Sequence, residues 1–349
     1  MNINYFLGAN SGGGFHSLYG GFCRGGGDFL HLIKAGPGGG KSGFMRSLAR
    51  AAAQRGYDTE CVLCSGDPDS LDAVYIPALG LGFMDATAPH VREPESFAYN
   101  SDYVNLGRFC ERVSDPRIEL YTEKYRAMYR QAYAYLAAAA SVERAEILEP
   151  VSAGTLEKVR KRARSAAQTE LGTAGKGVAA PRVRQRFIRC ISCKGELTLT
   201  EDIQKLCKRI YLLDDHCGLA KIYLEQMRRE ALLRGAETVL CLSPLCPEKP
   251  DALLLPEYGL GFVSASAAEI KEPWRHVRLD ALAEPAALSA SRAALRRRDK
   301  LRRELLGEAV RYLARAKEYH DELERVYNPH VDFAALDEFT NETVNAIFK

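Results

Sequence analysis

Leu32-Ile33-Lys34-Ala35-Gly36-Pro37-Gly38-Gly39-Gly40-Lys41-Ser42 is the stretch whose reading decides the fold. A short apolar run enters a glycine-rich bend, and Gly43-Phe44-Met45-Arg46-Ser47-Leu48-Ala49-Arg50 continues it with helical character. Strand, glycine-rich loop and helix in that order make a phosphate-binding loop. Residues without a Cβ let the backbone curl with its N–H groups aimed at one point, and the following helix adds partial positive charge there. The pattern assigns Ala35, Gly36, Pro37, Gly38, Gly39, Gly40, Lys41, Ser42 and Gly43 to the phosphates of a nucleoside triphosphate. Lys41 is expected at the β- and γ-phosphates, and the Ser42 hydroxyl on Mg²⁺. Ala35 stands at the motif's first glycine position, which it fits if its φ is not positive.

Downstream, Arg55-Gly56 ends the helix and Thr59–Cys64 reads as a second strand. Ser65-Gly66-Asp67-Pro68-Asp69-Ser70-Leu71-Asp72 is an acidic turn, and an apolar strand then closes on Met84-Asp85. An acid at that strand's carboxyl end is expected beside the phosphate loop, so Asp85 joins Ser42 as a Mg²⁺ ligand, directly or through water. Ala86 follows it where hydrolytic enzymes frequently carry Glu, which predicts slow turnover unless Asp67, Asp69 or Asp72 positions the attacking water. The catalytic set is therefore Lys41, Asp67 and Asp85, and His90 is either a γ-phosphate sensor or a packed imidazole.

The 349 residues suit two domains, and 46% hydrophobic with 27% charged residues describes a chain able to bury real cores. A net charge of +3 is too small to argue for nucleic acid, and no apolar run approaches the roughly 18 residues of a membrane span. Met1–Gly8 lacks a basic segment followed by an apolar core, so no secretory leader is expected and the location is cytoplasmic. There the ten cysteines are expected to be reduced. The glycine-rich residues 1–28 read as an extended entry to the phosphate loop, and about Arg117 to Leu148 as a long Tyr/Ala-rich packed helix.

The chain then starts again. Gly80-Leu81-Gly82-Phe83 returns as Gly259-Leu260-Gly261-Phe262, 179 positions on, and Arg55-Gly56 returns as Arg234-Gly235 at the same offset. A repeat this long is a domain duplication. The fold class is thus α/β: two tandem P-loop-type domains, each a mostly parallel sheet followed by long helices. Residues 1–167 form the first, 168–186 a linker and 187–349 the second. In the second copy Leu213-Asp214-Asp215-His216-Cys217-Gly218-Leu219-Ala220-Lys221-Ile222 stands for the loop. Read residue against residue, Lys221 matches Lys41, Ile222 replaces Ser42 and Ser264 replaces Asp85. Asp214 and Asp215 would repel phosphate, so the second copy is expected to keep the fold, lose the chemistry and leave one nucleotide per chain. The two copies are expected to pack as an intrachain pseudo-dimer, with Lys221 or Arg275 as candidates to lend the first site a cation.

The layout resembles a family of little-characterised bacterial tandem P-loop ATPases. The resemblance rests on Ala-Gly-Pro-Gly-Gly-Gly-Lys-Ser (35–42), Cys-Ser-Gly-Asp-Pro-Asp-Ser-Leu-Asp (64–72) and Met-Asp-Ala-Thr-Ala-Pro-His (84–90), and is weaker after residue 186. It implies ATP binding and hydrolysis and supplies no substrate.

Cys61-x-x-Cys64 and Cys190-x-x-Cys193 invite a zinc reading, but no Cys/His pair stands at finger spacing, so the cysteines are assigned structural roles. The basic run Arg292–Glu304 interleaves acids and carries no aromatics, which describes a solvated helix face rather than a nucleic-acid surface. The expected function is a Mg²⁺-dependent ATPase or ATP switch. The alternatives are a small-molecule kinase, with an Asp of the 67–72 turn as base, and a nucleotide-regulated scaffold acting on a protein partner through the helical arms.

Overall fold

In this computed structural model residues 1–145, 151–173 and 181–349 are described. The first half runs β1 (Asn2–Phe6), β2 (Gly8–Ser11), β3 (Gly14–Ser17), β4 (Phe29–Lys34), α1 (Lys41–Gln54), β5 (Thr59–Leu63), β6 (Leu71–Ile76), β7 (Leu81–Asp85), β8 (Ser101–Asn105), α2 (Arg117–Arg144) and α3 (Ala153–Leu171). The second runs β9 (Val183–Arg186), β10 (Arg189–Ser192), β11 (Gly195–Thr198), α4 (Thr200–Leu206), β12 (Arg209–Asp214), α5 (Leu219–Leu233), β13 (Thr238–Leu242), β14 (Pro250–Leu255), β15 (Leu260–Ser264), β16 (Arg275–Arg278), α6 (Pro285–Tyr327) and α7 (Phe333–Ile347).

Each half builds a six-stranded sheet in the same order, β1-β5-β6-β7-β4-β8 and β9-β13-β14-β15-β12-β16. Each sheet is mixed: β1–β5, β7–β4 and β4–β8 pair parallel, whereas β6 runs antiparallel to both its neighbours. The reason is connection length. The turn from β5 to β6 and the 3-10 turn Pro77–Leu79, closed by Gly80 at φ +60°, are too short for the crossover that parallel strands need.

The helices are exchanged between halves. α3 packs not on its own sheet but on α5, placing Val159, Ala163 and Ala167 in the core of Tyr223, Met227 and Phe262. Reciprocally α7 lies on α1, where Leu336 joins Phe44, Leu48 and Phe83. α2 and α6 run along each other, and Ala132, Ala139 and Ala140 face Leu306, Ala309 and Leu313. Alanines at this seam bring the two backbones close, and each fully buried leucine contributes roughly 1.5–3 kcal/mol. Phe6 and Phe187 mark the centre of the repeat: each N–H donates to the other's carbonyl at 2.9 Å.

These contacts revise the expected segmentation. Residues 168–171 are the last turn of α3, and 183–186 form strand β9 of the second sheet, so both belong to packed structure rather than to a linker. The middle of that segment, 174–180, and the end of the expected 117–148 helix lie outside the described residues.

Candidate functional site

The Ala35–Gly43 loop leaves the carboxyl end of β4 and turns into α1. Gly38 and Gly40 hold φ of +67° and +75°, and a Cβ on Gly39 would sit 2.9 Å from that of Ala35. These positions need glycine for backbone conformation or for space. Ala35 is not among the positive-φ residues, so its methyl meets the condition the sequence set. The Gly39 N–H donates to Gly36 O at 3.2 Å, which closes the bend, and the helix begins with Phe44 N–H on Gly40 O at 2.9 Å.

Lys41 folds back over this bend. Its Nζ donates to the carbonyls of Ala35 at 3.0 Å and Gly36 at 3.1 Å and lies 3.6 Å from Asp85 Oδ2. β7 runs parallel beside β4 with Asp85 opposite Ile33, which brings the acid to the edge from which the loop springs. The other oxygen of Asp85 accepts the Thr87 N–H at 2.8 Å and the Thr87 hydroxyl at 2.6 Å. One oxygen therefore anchors the carboxylate and the other faces the ammonium. Thr87 was absent from the expected site; its signal is the local Asp-x-Thr turn. The Ser42 Oγ accepts the Leu71 N–H at 3.0 Å and the Arg46 Nε–H at 3.4 Å, so the hydroxyl sits between α1 and the start of β6.

The three acids of the 67–72 turn part company. Asp67 accepts the Asp69 N–H and the Ser70 hydroxyl, both at 3.2 Å, and lies 3.4 Å from Lys317 of α6. It braces its turn and ties it to the second half. Asp69 pairs with Lys194, and that contact holds its carboxyl below the usual range. Asp72 is buried beside Tyr19 and His90, and burial raises its carboxyl above the usual range.

The corner between α6 and α7 lies against the loop. A Cβ on Gly38 would meet Asn328 Oδ1 at 2.2 Å, one on Gly40 would meet Leu336 Cδ2 at 2.3 Å, and one on Gly36 would come within 3.9 Å of the Tyr327 ring. The glycines thus admit a piece of the second half as well as the bend itself. His320 and Glu324, 3.6 Å apart, occupy the same stretch of α6, and burial lowers the His320 imidazole below its usual range. None of these residues carried a local sequence signal, because they reach the loop from the other end of the chain.

The second copy is closed by its own carboxylate. Asp215 Oδ1 accepts the N–H groups of Cys217 at 3.0 Å and Leu219 at 2.9 Å, and Oδ2 accepts that of Ala220 at 2.8 Å. These are the donors at the start of a helix that would otherwise face an anion. Helix register also corrects the residue pairing. Buried Phe44, Met45, Leu48 and Ala52 of α1 correspond to buried Tyr223, Leu224, Met227 and Ala231 of α5, which sets Ala220, not Lys221, against Lys41. The loop is one residue shorter in the second copy, and counting forward from the strand hid this. Lys221 is half-exposed near Glu225, and Arg275 lines a cavity between α3 and the second sheet, so neither takes the expected place as a lent cation. Lys317 and Lys194 are second-half cations that reach the first-half turn, at Asp67 and Asp69. Ser264, opposite Asp85 in the repeat, bonds Ser266 at 2.9 Å.

All ten cysteines are described and free, and Cys61 is buried in the α1 core. The basic run lies within α6, where Arg302 reaches Glu143 at 3.7 Å and Glu196 at 3.8 Å. Among the described residues no helix is long and apolar enough to cross a membrane. No family model, curated protein or solved structure matches this chain.

Proposed function

We propose that this chain is a nucleotide switch that binds ATP with Mg²⁺ at the Ala35–Gly43 loop, turns it over slowly, and passes occupancy to the α6–α7 corner. The observation that carries the reading is the Lys41 ammonium held 3.6 Å from Asp85 across the shared edge of β4 and β7. The residues suit the ligand: Gly38 and Gly40, at positive φ, give the bend the curl that side chains would oppose, and Ser42 and Asp85 offer the oxygen donors Mg²⁺ prefers. Bound Mg²⁺–ATP supplies the transferable phosphoryl group. Lys41 would exchange loop carbonyls for phosphate oxygens, Asp85 would hold charge opposite the metal, and Thr87 would keep Asp85 oriented. No carboxylate follows Asp85, and Asp67 is engaged by Lys317, which supports slow turnover. Asn328 and Tyr327 stand where the loop opens, so occupancy and the position of α6 are coupled in this reading.

The test is titration of ATP into the full chain and into Lys41→Ala. Binding should weaken at least about tenfold, or about 1.4 kcal/mol. Unchanged affinity would overturn the assignment. Phosphate release without an acceptor supports the ATPase, turnover only with a metabolite acceptor the kinase, and binding without turnover the scaffold.

A further inference from the structure

Behind the acidic turn lies a second cluster that the nucleotide reading does not use. Cys64 follows β5, Asp72 lies in β6, and His90 follows β7. One ligand atom from each lies within 4.8 Å of the other two. His90 Nε2 is 3.3 Å from Asp72 Oδ2, which also accepts the Tyr19 hydroxyl at 2.6 Å. Asp72 and His90 are 4% and 7% exposed, and the buried His90 Nδ1 has no hydrogen-bond partner. Phe15 and Tyr19 pack on the imidazole at ring separations of 5.3 and 4.6 Å.

The duplication supplies a control. Asp251 of β14 repeats Asp72, and Ser243 repeats Cys64. There Arg189 fills the space: its Nε donates to Asp251 at 2.6 Å, and its Nη2 reaches Asp251 at 3.4 Å and the Ser243 hydroxyl at 3.5 Å. The buried carboxylate of the second half is thus balanced by a guanidinium. In the first half the hairpin position of Arg189 is Gly8, which has no side chain. A thiol and an imidazole stand around Asp72 instead. A buried carboxyl without a fixed protein cation either takes up a proton or is balanced by another positive charge.

We propose that Cys64, Asp72 and His90 bind a transition-metal ion of the zinc type, with the fourth position open. Thiolate, imidazole and carboxylate are the three donor types zinc accepts, and the softness of sulfur selects against Mg²⁺ and Ca²⁺. Bonds of about 2.0–2.1 Å to nitrogen and oxygen place tetrahedral neighbours about 3.3–3.4 Å apart. The 3.3 Å between His90 Nε2 and Asp72 Oδ2 matches that edge. Thiolate and carboxylate together neutralise a divalent ion, and the Tyr19 hydroxyl, which donates to the same Asp72 oxygen, holds the carboxylate in place. The site does not depend on the nucleotide reading, because Lys41 and Ser42 contribute nothing to it. The other candidate grouping, His320, Asp321 and Glu324, holds no sulfur and gives a different optical signature.

The test is titration of Co²⁺ into the full, folded chain, followed by displacement with Zn²⁺. A thiolate-to-cobalt charge-transfer band should grow to one equivalent and be lost in Cys64→Ser. In His90→Gln, Co²⁺ affinity should fall at least about tenfold. Cys110→Ser, outside the cluster, should keep the band. If the variants fail to fold, alkylation of the native chain decides instead: Zn²⁺ should shield Cys64, located by peptide mass, while leaving Cys110 reactive. No charge-transfer band on the native chain, a band retained in Cys64→Ser, or Zn²⁺-independent alkylation of Cys64 would overturn the proposal and leave a hydrogen-bonded Tyr19–Asp72–His90 network.

Discussion

Asp85 is divided between two tasks, and a single substitution separates them. Its Oδ1 is occupied by Thr87 while its Oδ2 faces Lys41 at 3.6 Å. Asp85→Asn keeps an acceptor for Thr87 and removes only the charge, so the turn should survive. Nucleotide binding without metal should change little, and Mg²⁺-dependent turnover should fall by about 10²-fold or more, the scale of losing one preorganised electrostatic contact. Turnover at the wild-type level would remove Asp85 from the site. At this scale the sequence was most informative where chemistry is local. The glycines, Lys41 and Ser42 fall within one loop, and Asp85 ends the strand beside it. Asp67 meets Lys317, on a helix of the other half, a contact that no local pattern announces. The Cys64, Asp72 and His90 grouping escaped for a related reason: its three members come from three elements, and no fixed spacing announces them.

At the scale of elements, the second copy shows how a strand-loop-helix unit can cap its helix from within its own loop. Asp215 caps α5 through three backbone N–H groups, the task an anion would perform in a working loop. Asp215→Ala leaves these donors without their acceptor and should destabilise the chain by about 1–3 kcal/mol. A denaturation midpoint that does not move would show that the carboxylate is not the cap. The variant should not gain ATP binding, since Ala220 and Lys221 stand where Lys41 and Ser42 stand in the first copy. The existence of these elements was legible in apolar runs and glycine stops. Their directions were less so: β6 turned antiparallel because its connections are short, a property of loop length rather than of hydrophobic pattern.

At the scale of the molecule, each half is completed by the other. α7 covers α1, α3 covers α5, and α2 with α6 forms the seam. The repeat was legible from the returning Gly-Leu-Gly-Phe, but the exchange was not, because an apolar helix face does not name the surface it will cover. Leu336 tests the exchange. It is buried against the α1 core and overlies Gly40, so Leu336→Ala should cost about 2–5 kcal/mol and also alter nucleotide affinity. A loss of stability with affinity unchanged would show α7 to be packing alone. A fragment of residues 1–167 would lack α7 and expose Phe44 and Leu48, so the full chain is the right material for binding work.

The measurement that bears most directly on the account is the stoichiometry of ATP binding to the full chain by calorimetry in the presence of Mg²⁺. One site per chain, weakened at least about tenfold by Lys41→Ala and unaffected by Lys221→Ala, is the predicted result. Two sites per chain, or one site that survives Lys41→Ala unchanged, would contradict it.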